Sequence, residues 1–91
     1  MIQKKEKKYL ATVSVLVNNR ELNSIKVNQV LTDYSYLIMA RLGVNPQRNC
    51  LADCLGVIIL AVEGTAKEIN DLTKKLGKLS GATAKSIILK K

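Results

Sequence analysis

Histidine, phenylalanine and tryptophan are absent from the 91-residue chain, and proline occurs once. Without histidine the commonest general base and the commonest transition-metal ligand are missing, which removes Ser-His and Cys-His nucleophile pairs. The only aromatics are three tyrosines, and the central strands carry aliphatics where an RNA-recognition sheet would stack bases. The five glycines, at 43, 56, 64, 77 and 81, are too widely spaced for a phosphate-binding loop. The longest nearly apolar run, Leu55 to Val62, falls far short of the ~20 residues that span a bilayer. Glu68 and Asp71, the one close carboxylate pair on a helix surface, are placed to neutralise nearby lysines. The chain is therefore expected not to be an enzyme, and to carry no cofactor and no resident metal.

What is present is a composition 47% hydrophobic and 24% charged, too apolar for disorder and too poor in glycine and proline for a fibre. The length fits one domain, the usual unit being ~100 to 150 residues. So short a chain removes only ~60 to 65% of its unfolded surface from water, which favours a core shared with further copies. The formal net charge of +8 is uneven. Lys4, Lys5, Lys7 and Lys8 outweigh Glu6 in a basic segment over residues 1–8, and Lys85, Lys90 and Lys91 close the chain. A single domain is expected over residues 9–91. Lysines gathered at the ends, rather than across one face, fit a solubilising role better than direct nucleic-acid contact. The first residues imitate a secretory signal, a charged stretch before an apolar one. Thr12 and Ser14 break that apolar part in strict alternation, and Asn18 and Asn19 stand where a cleavage site needs small residues. A strand fits better, and a cytoplasmic protein is expected.

Ala11, Val13, Val15 and Val17 alternate with Leu10, Thr12, Ser14 and Leu16, the period of a strand. Asn18 and Asn19 supply oxygens for the open N–H groups of a helix start, with Glu21 placed to complete a capping box on Asn18. Leu22, Ile25, Val27, Val30, Leu31 and Tyr34 form the apolar stripe of this helix. Leu37 to Val44 reads as a second strand, Asn45 to Asn49 as a hairpin loop, and Leu51 to Glu63 as a third strand with both faces apolar. Thr65 and Glu68 make a further capping box, followed by a helix striped with Ile69, Leu72, Leu76 and Leu79. Ser80-Gly81 ends it, and Ala82 to Leu89 is extended again. The order βαββαβ folds into an α+β ferredoxin-like plait, a four-stranded antiparallel sheet with two helices on one face.

Two helices cover one sheet face only. Leu10, Leu16, Ile38, Leu42, Ile87 and Leu89 are surplus to that layer, and leaving a contiguous apolar face in water forfeits ~25 cal/mol for each Å². A homo-oligomer, dimer or tetramer, joined through the sheet face is expected. The competing reading is a monomer whose apolar outer residues are dispersed among Thr12, Ser14, Arg41 and Lys85. On an extended segment Cys50 and Cys54 would lie ~13 Å apart, whereas a disulfide needs Cα atoms ~4.4 to 6.8 Å apart. A bridge there requires a tight turn, and zinc would have to be shared between chains, with Asp53 as the nearest extra ligand. The plainer reading is small, partly buried free thiols in a reducing compartment.

The segment VNNRELNSIKVNQVLTDYSYLIMARLGV, the hairpin, and above all Leu76-Gly77-Lys78-Leu79-Ser80-Gly81 within LTKKLGKLSGATAKSIILKK resemble the small family of iron-only hydrogenase system regulators. The resemblance covers about residues 9 to 91. Such proteins are similar to ACT domains and to the C-terminal domain of the nickel-responsive repressor. The resemblance implies an oligomeric regulatory module that binds a small effector at subunit contacts, linked to transcription or to the hydrogenase system. Of the nickel ligands only Cys54 has a counterpart here, and Asn18 and Asn19 replace the glycines common at the ACT effector turn. Asn18, Asn19 and Arg20 are the effector-binding candidates, since amides and a guanidinium at a helix start suit a carboxylate; a plain helix cap beside a solvated arginine explains the same residues. The other class of function is an interaction adaptor whose basic ends contact nucleic acid or a protein partner.

Overall fold

The computed structural model describes residues 6–89, so Lys4, Lys5, Lys90 and Lys91 of the basic ends lie outside the described residues. The elements are β1 (Lys8–Val17), α1 (Arg20–Asp33), a 3-10 turn (Ser35–Leu37), β2 (Ile38–Val44), β3 (Gly56–Thr65), α2 (Ala66–Lys78) and β4 (Ala82–Leu89). The strands form one antiparallel sheet in the order β2-β3-β1-β4. This is the expected α+β plait. Among the described residues no helix is long and apolar enough to cross a membrane.

Alternation along β1 decides the core. Ala11, Val13, Val15 and Val17 are buried beneath the helices together with Leu60 and Val62 of β3. The α2 stripe of Ile69, Leu72 and Leu76 closes over them, fully buried. The Thr65 hydroxyl accepts the Glu68 N–H at 3.1 Å while the Glu68 carboxylate accepts the Thr65 N–H at 2.9 Å, so the expected capping box is complete. Glu68 is thereby committed to the cap. Asp71 pairs instead with Lys67 one turn back, at 3.0 Å; this hydrogen bond, with the carboxylate's charge, holds the exposed ammonium above its usual pKa. The Thr65→Ala variant is expected to lose about 1 kcal/mol, read as a lower urea midpoint at unchanged slope.

Helix α1 departs from expectation in two ways. Its N-cap is Asn19, in the left-handed region at φ 44°, whose side chain accepts the Leu22 N–H; no box forms between Asn18 and Glu21. Asn18 still belongs to the sheet end, its N–H donating to the Gly81 carbonyl at 2.7 Å. The inward stripe is Asn23, Val27 and Leu31, flanked by Val30 and Tyr34, while Leu22 and Ile25 are exposed. A polar residue takes the inward place because Asn23 finds a partner there, donating to the Asn18 carbonyl at 2.5 Å.

The third strand begins at Gly56, not Leu51. Residues 51–55 belong to a long loop in which Asp53 adopts φ 54° and turns the chain back on itself. That turn brings the Cα atoms of Cys50 and Cys54 to 5.7 Å, and the two are disulfide-bonded. The free-thiol reading is thus overturned by the tight turn that a bridge at this spacing requires. Strand β2 also carries a register shift between Ile38 and Ala40. Ile38 pairs with Val62 and packs on the core, so it leaves the outer face where simple alternation had put it beside Leu42. Leu16, Leu42, Ile87 and Leu89 stay on that outer face and are exposed in the protomer, and Leu10 is half-buried there.

Candidate functional site

The shift in β2 has a chemical outcome. Past it, Ala40, Leu42 and Val44 point away from the helices, whereas Arg41 and Gly43 pair with Leu60 and Ile58 and share their helix-side face. Because β2 is an edge strand, this part of the face is left uncovered beside α1, and a groove of about 290 Å³ opens there. Arg20, Ser24 and Asn28 line it from α1, Arg41 and Gly43 from β2, and Gly56 and Ile58 from β3. The positions 20, 24 and 28 are one helical turn apart and therefore form one row facing the sheet edge. Gly43 keeps the floor open, since a Cβ built there meets nothing within 4 Å.

The groove is basic. Arg20 and Arg41 both reach it, and among the described residues neither guanidinium pairs with a carboxylate. Arg41 is steadied by donating to the Asn28 side-chain oxygen at 3.0 Å. The start of α1 is pinned from the loop side, the Arg20 N–H donating to the Cys54 carbonyl at 2.9 Å and the Asn19 side chain to Asp53 at 3.1 Å. Two guanidinium forks, a hydroxyl at Ser24 and an amide at Asn28, with apolar walls from Val17 and Ile58, suit a small anion with an apolar part. Among the described residues no group of three or more His, Cys, Asp or Glu is gathered to hold a metal ion.

Of the three residues singled out from the sequence, Arg20 lines the groove, and Asn18 and Asn19 sit beside it at the β1–α1 junction without lining it. Asn19 caps the helix and Asn18 is engaged through its backbone. Arg41, Ser24 and Asn28 were not singled out. The four-residue spacing of Arg20, Ser24 and Asn28 is readable, but nothing in the residue pattern marks the bulge that aims Arg41 at them.

A family model described as "TM1266-like: Iron-only hydrogenase system regulator, putative" matches residues 9–86. The structure of the uncharacterized protein TM1266 from Thermotoga maritima superposes with a TM-score of 0.80 at 30% identity, covering 92% of this chain and 100% of that one. The ACT domain from the GTP pyrophosphokinase of Chlorobium tepidum gives 0.68 at 15% identity, covering 88% and 86% of the two chains. CPII from Thiomonas intermedia K12, a nitrogen regulatory PII-like protein solved with ADP, AMP and bicarbonate, gives 0.55 at 15% identity over 93% and 98%. No curated protein matches the chain.

Proposed function

From the premise that this chain belongs to the TM1266-like family of iron-only hydrogenase system regulators, we propose that it is an effector-binding regulatory module and not an enzyme. The effector is a small anion, a carboxylate or a phosphate ester, held in the groove between α1 and the β2–β3 edge. The observation that carries this reading is the pair of guanidinium groups, Arg20 and Arg41, lining one groove without carboxylate partners among the described residues. Arg20 and Arg41 grip the anion by charge-assisted hydrogen bonds. Asn18 and Asn19 act nearby, setting the angle at which α1 presents Arg20. The ACT and PII-like folds, shared at low identity, agree with a regulatory role.

The module works as a homo-oligomer, a dimer or tetramer joined through the outer sheet face, since an antiparallel sheet this apolar on its uncovered side gains by covering it. Its output passes to transcription or to the hydrogenase system through contacts of that assembly. A cytoplasmic place remains part of this reading, although the bridged cysteines no longer argue for it.

The test is a thermal-shift and NMR titration of the wild-type chain with carboxylate and phosphorylated metabolites. A binder at 100 times its Kd is expected to add about 2.7 kcal/mol of stability. Arg20→Ala and Arg41→Ala are each expected to weaken the same binder by about tenfold or more, as loss of one charge-assisted fork implies. Gly43→Leu is expected to fill the groove and abolish binding while the fold melts near the wild-type temperature. Failure of every anion to shift the melting temperature at millimolar concentration would sink the reading.

A further inference from the structure

The Cys50–Cys54 bridge closes a short ring at the end of the loop that runs into the groove floor. Both contacts that pin the start of α1 from the loop side come out of this ring: the Cys54 carbonyl accepts the Arg20 N–H, and the Asp53 carboxylate accepts from the Asn19 side chain. Within the ring Asp53 sits at φ 54°, a left-handed conformation that costs an L-residue free energy, less for Asp than for most. Gly56 follows three residues later, where an added Cβ would be in van der Waals contact with the Arg20 Cβ, at 3.4 Å. The ring, the helix start and the arginine stem are therefore one mechanical unit. Outside it the loop is tied down lightly, by Gln47, whose side chain accepts the Leu55 N–H at 2.9 Å and whose carbonyl accepts the Cys50 N–H at 3.3 Å.

We infer that reduction and re-formation of the Cys50–Cys54 bridge switch the anion affinity of the Arg20–Arg41 groove, which binds tightly when bridged and weakly when reduced. The inference rests on the groove being the effector site. Cys50 is half-buried and Cys54 buried, with the fully exposed Leu51 at the loop tip, so Cys50 Sγ is the sulfur an external thiol reaches. A thiolate of a small dithiol attacks it, the S–S bond breaks, and Cys54 leaves as a thiolate that takes up a proton. The second thiol of the reductant then displaces Cys50 and closes the reductant's own disulfide, so two electrons and two protons pass to the protein. A disulfide oxidant reverses each step. Once the ring is open, Asp53 relaxes out of the left-handed region, and the two pins on α1 loosen. Arg20 must then be ordered at the moment of binding instead of beforehand, which lowers affinity.

The experiment uses the full chain and inorganic pyrophosphate as probe, by calorimetry and NMR at fixed salt. Oxidised protein, protein in excess dithiothreitol, and the Cys50→Ser/Cys54→Ser double variant are compared, with the hydrogen exchange of the Arg20 amide read in each. Reduction is expected to weaken pyrophosphate binding by about tenfold, the size of a modest conformational bias. The double variant is expected to bind at the reduced level whether or not reductant is present, and Arg20 amide protection is expected to fall in step. Binding that ignores the redox state, with unchanged Arg20 protection, overturns the switch and leaves the groove reading standing. If neither pyrophosphate nor any carboxylate or phosphate ester of the titration above binds the oxidised chain, the groove reading sinks and the switch with it.

Discussion

Replacing Gly81 with alanine is expected to remove about 2 to 4 kcal/mol of stability, the sum of a left-handed backbone penalty and an overpacking penalty. Gly81 stands at φ 81°, between the end of α2 and the start of β4. A Cβ at this position would collide with the Asn23 side-chain nitrogen and lie 2.8 Å from the Asn23 amide carbon. That amide has nowhere to retreat, because it is buried and donates to the Asn18 carbonyl. The backbone is tied too, since the Gly81 carbonyl accepts the Asn18 N–H. For a domain of this size the melting temperature should fall by about 10 to 25 °C. Adding Asn23→Ala to Gly81→Ala relieves the clash and leaves the backbone term. The two substitutions should therefore couple by about 1 kcal/mol or more in a double-mutant cycle. A single-variant loss under about 0.5 kcal/mol, the scale of an ordinary surface change, would show that this corner is looser than described.

The second large effect is expected on assembly. Leu42→Glu combined with Ile87→Glu places carboxylates on the outer sheet face, at positions 60% and 66% exposed in the protomer. The protomer's own core is untouched, so the fold should persist. In a symmetric dimer each substitution appears twice and meets like charge or apolar surface, a cost of several kcal/mol. The dissociation constant should rise by about a hundredfold or more, which follows from roughly 3 kcal/mol. Sedimentation at micromolar concentration reads this directly, as wild-type oligomer against a 10.0 kDa variant. A wild-type chain that itself runs as a single protomer would remove the oligomer from the proposed function.

The local features were legible because neighbours along the chain set them. The alternation of Ala11 to Val17, the Thr65–Glu68 box and the stripe of Ile69, Leu72 and Leu76 are all where the residue pattern puts them. Element order followed from these signals, and with it the plait and its uncovered apolar face. The errors share a cause, which is a contact between distant residues. Asn23 turns inward only because Asn18 and Gly81 come together across the β1–β4 end. Leu22 and Ile25, apolar by type, are left outside by the same rotation of α1.

The candidate site divides along the same line. Arg20 beside a helix start is visible in the residue order, and so is its row with Ser24 and Asn28, because helical spacing is a local property. Arg41 is not, since a bulge reverses the faces of a strand, and pairing with β3 locates it. The bridge of Cys50 and Cys54 depends likewise on a left-handed turn at Asp53, held against α1 by Asn19 and Arg20. Chain order alone thus settles the elements, their sequence and the apolar excess of the sheet. Which arginines share a groove, and which loop braces it, is decided by strand register and by hydrogen bonds that form only once the plait has closed.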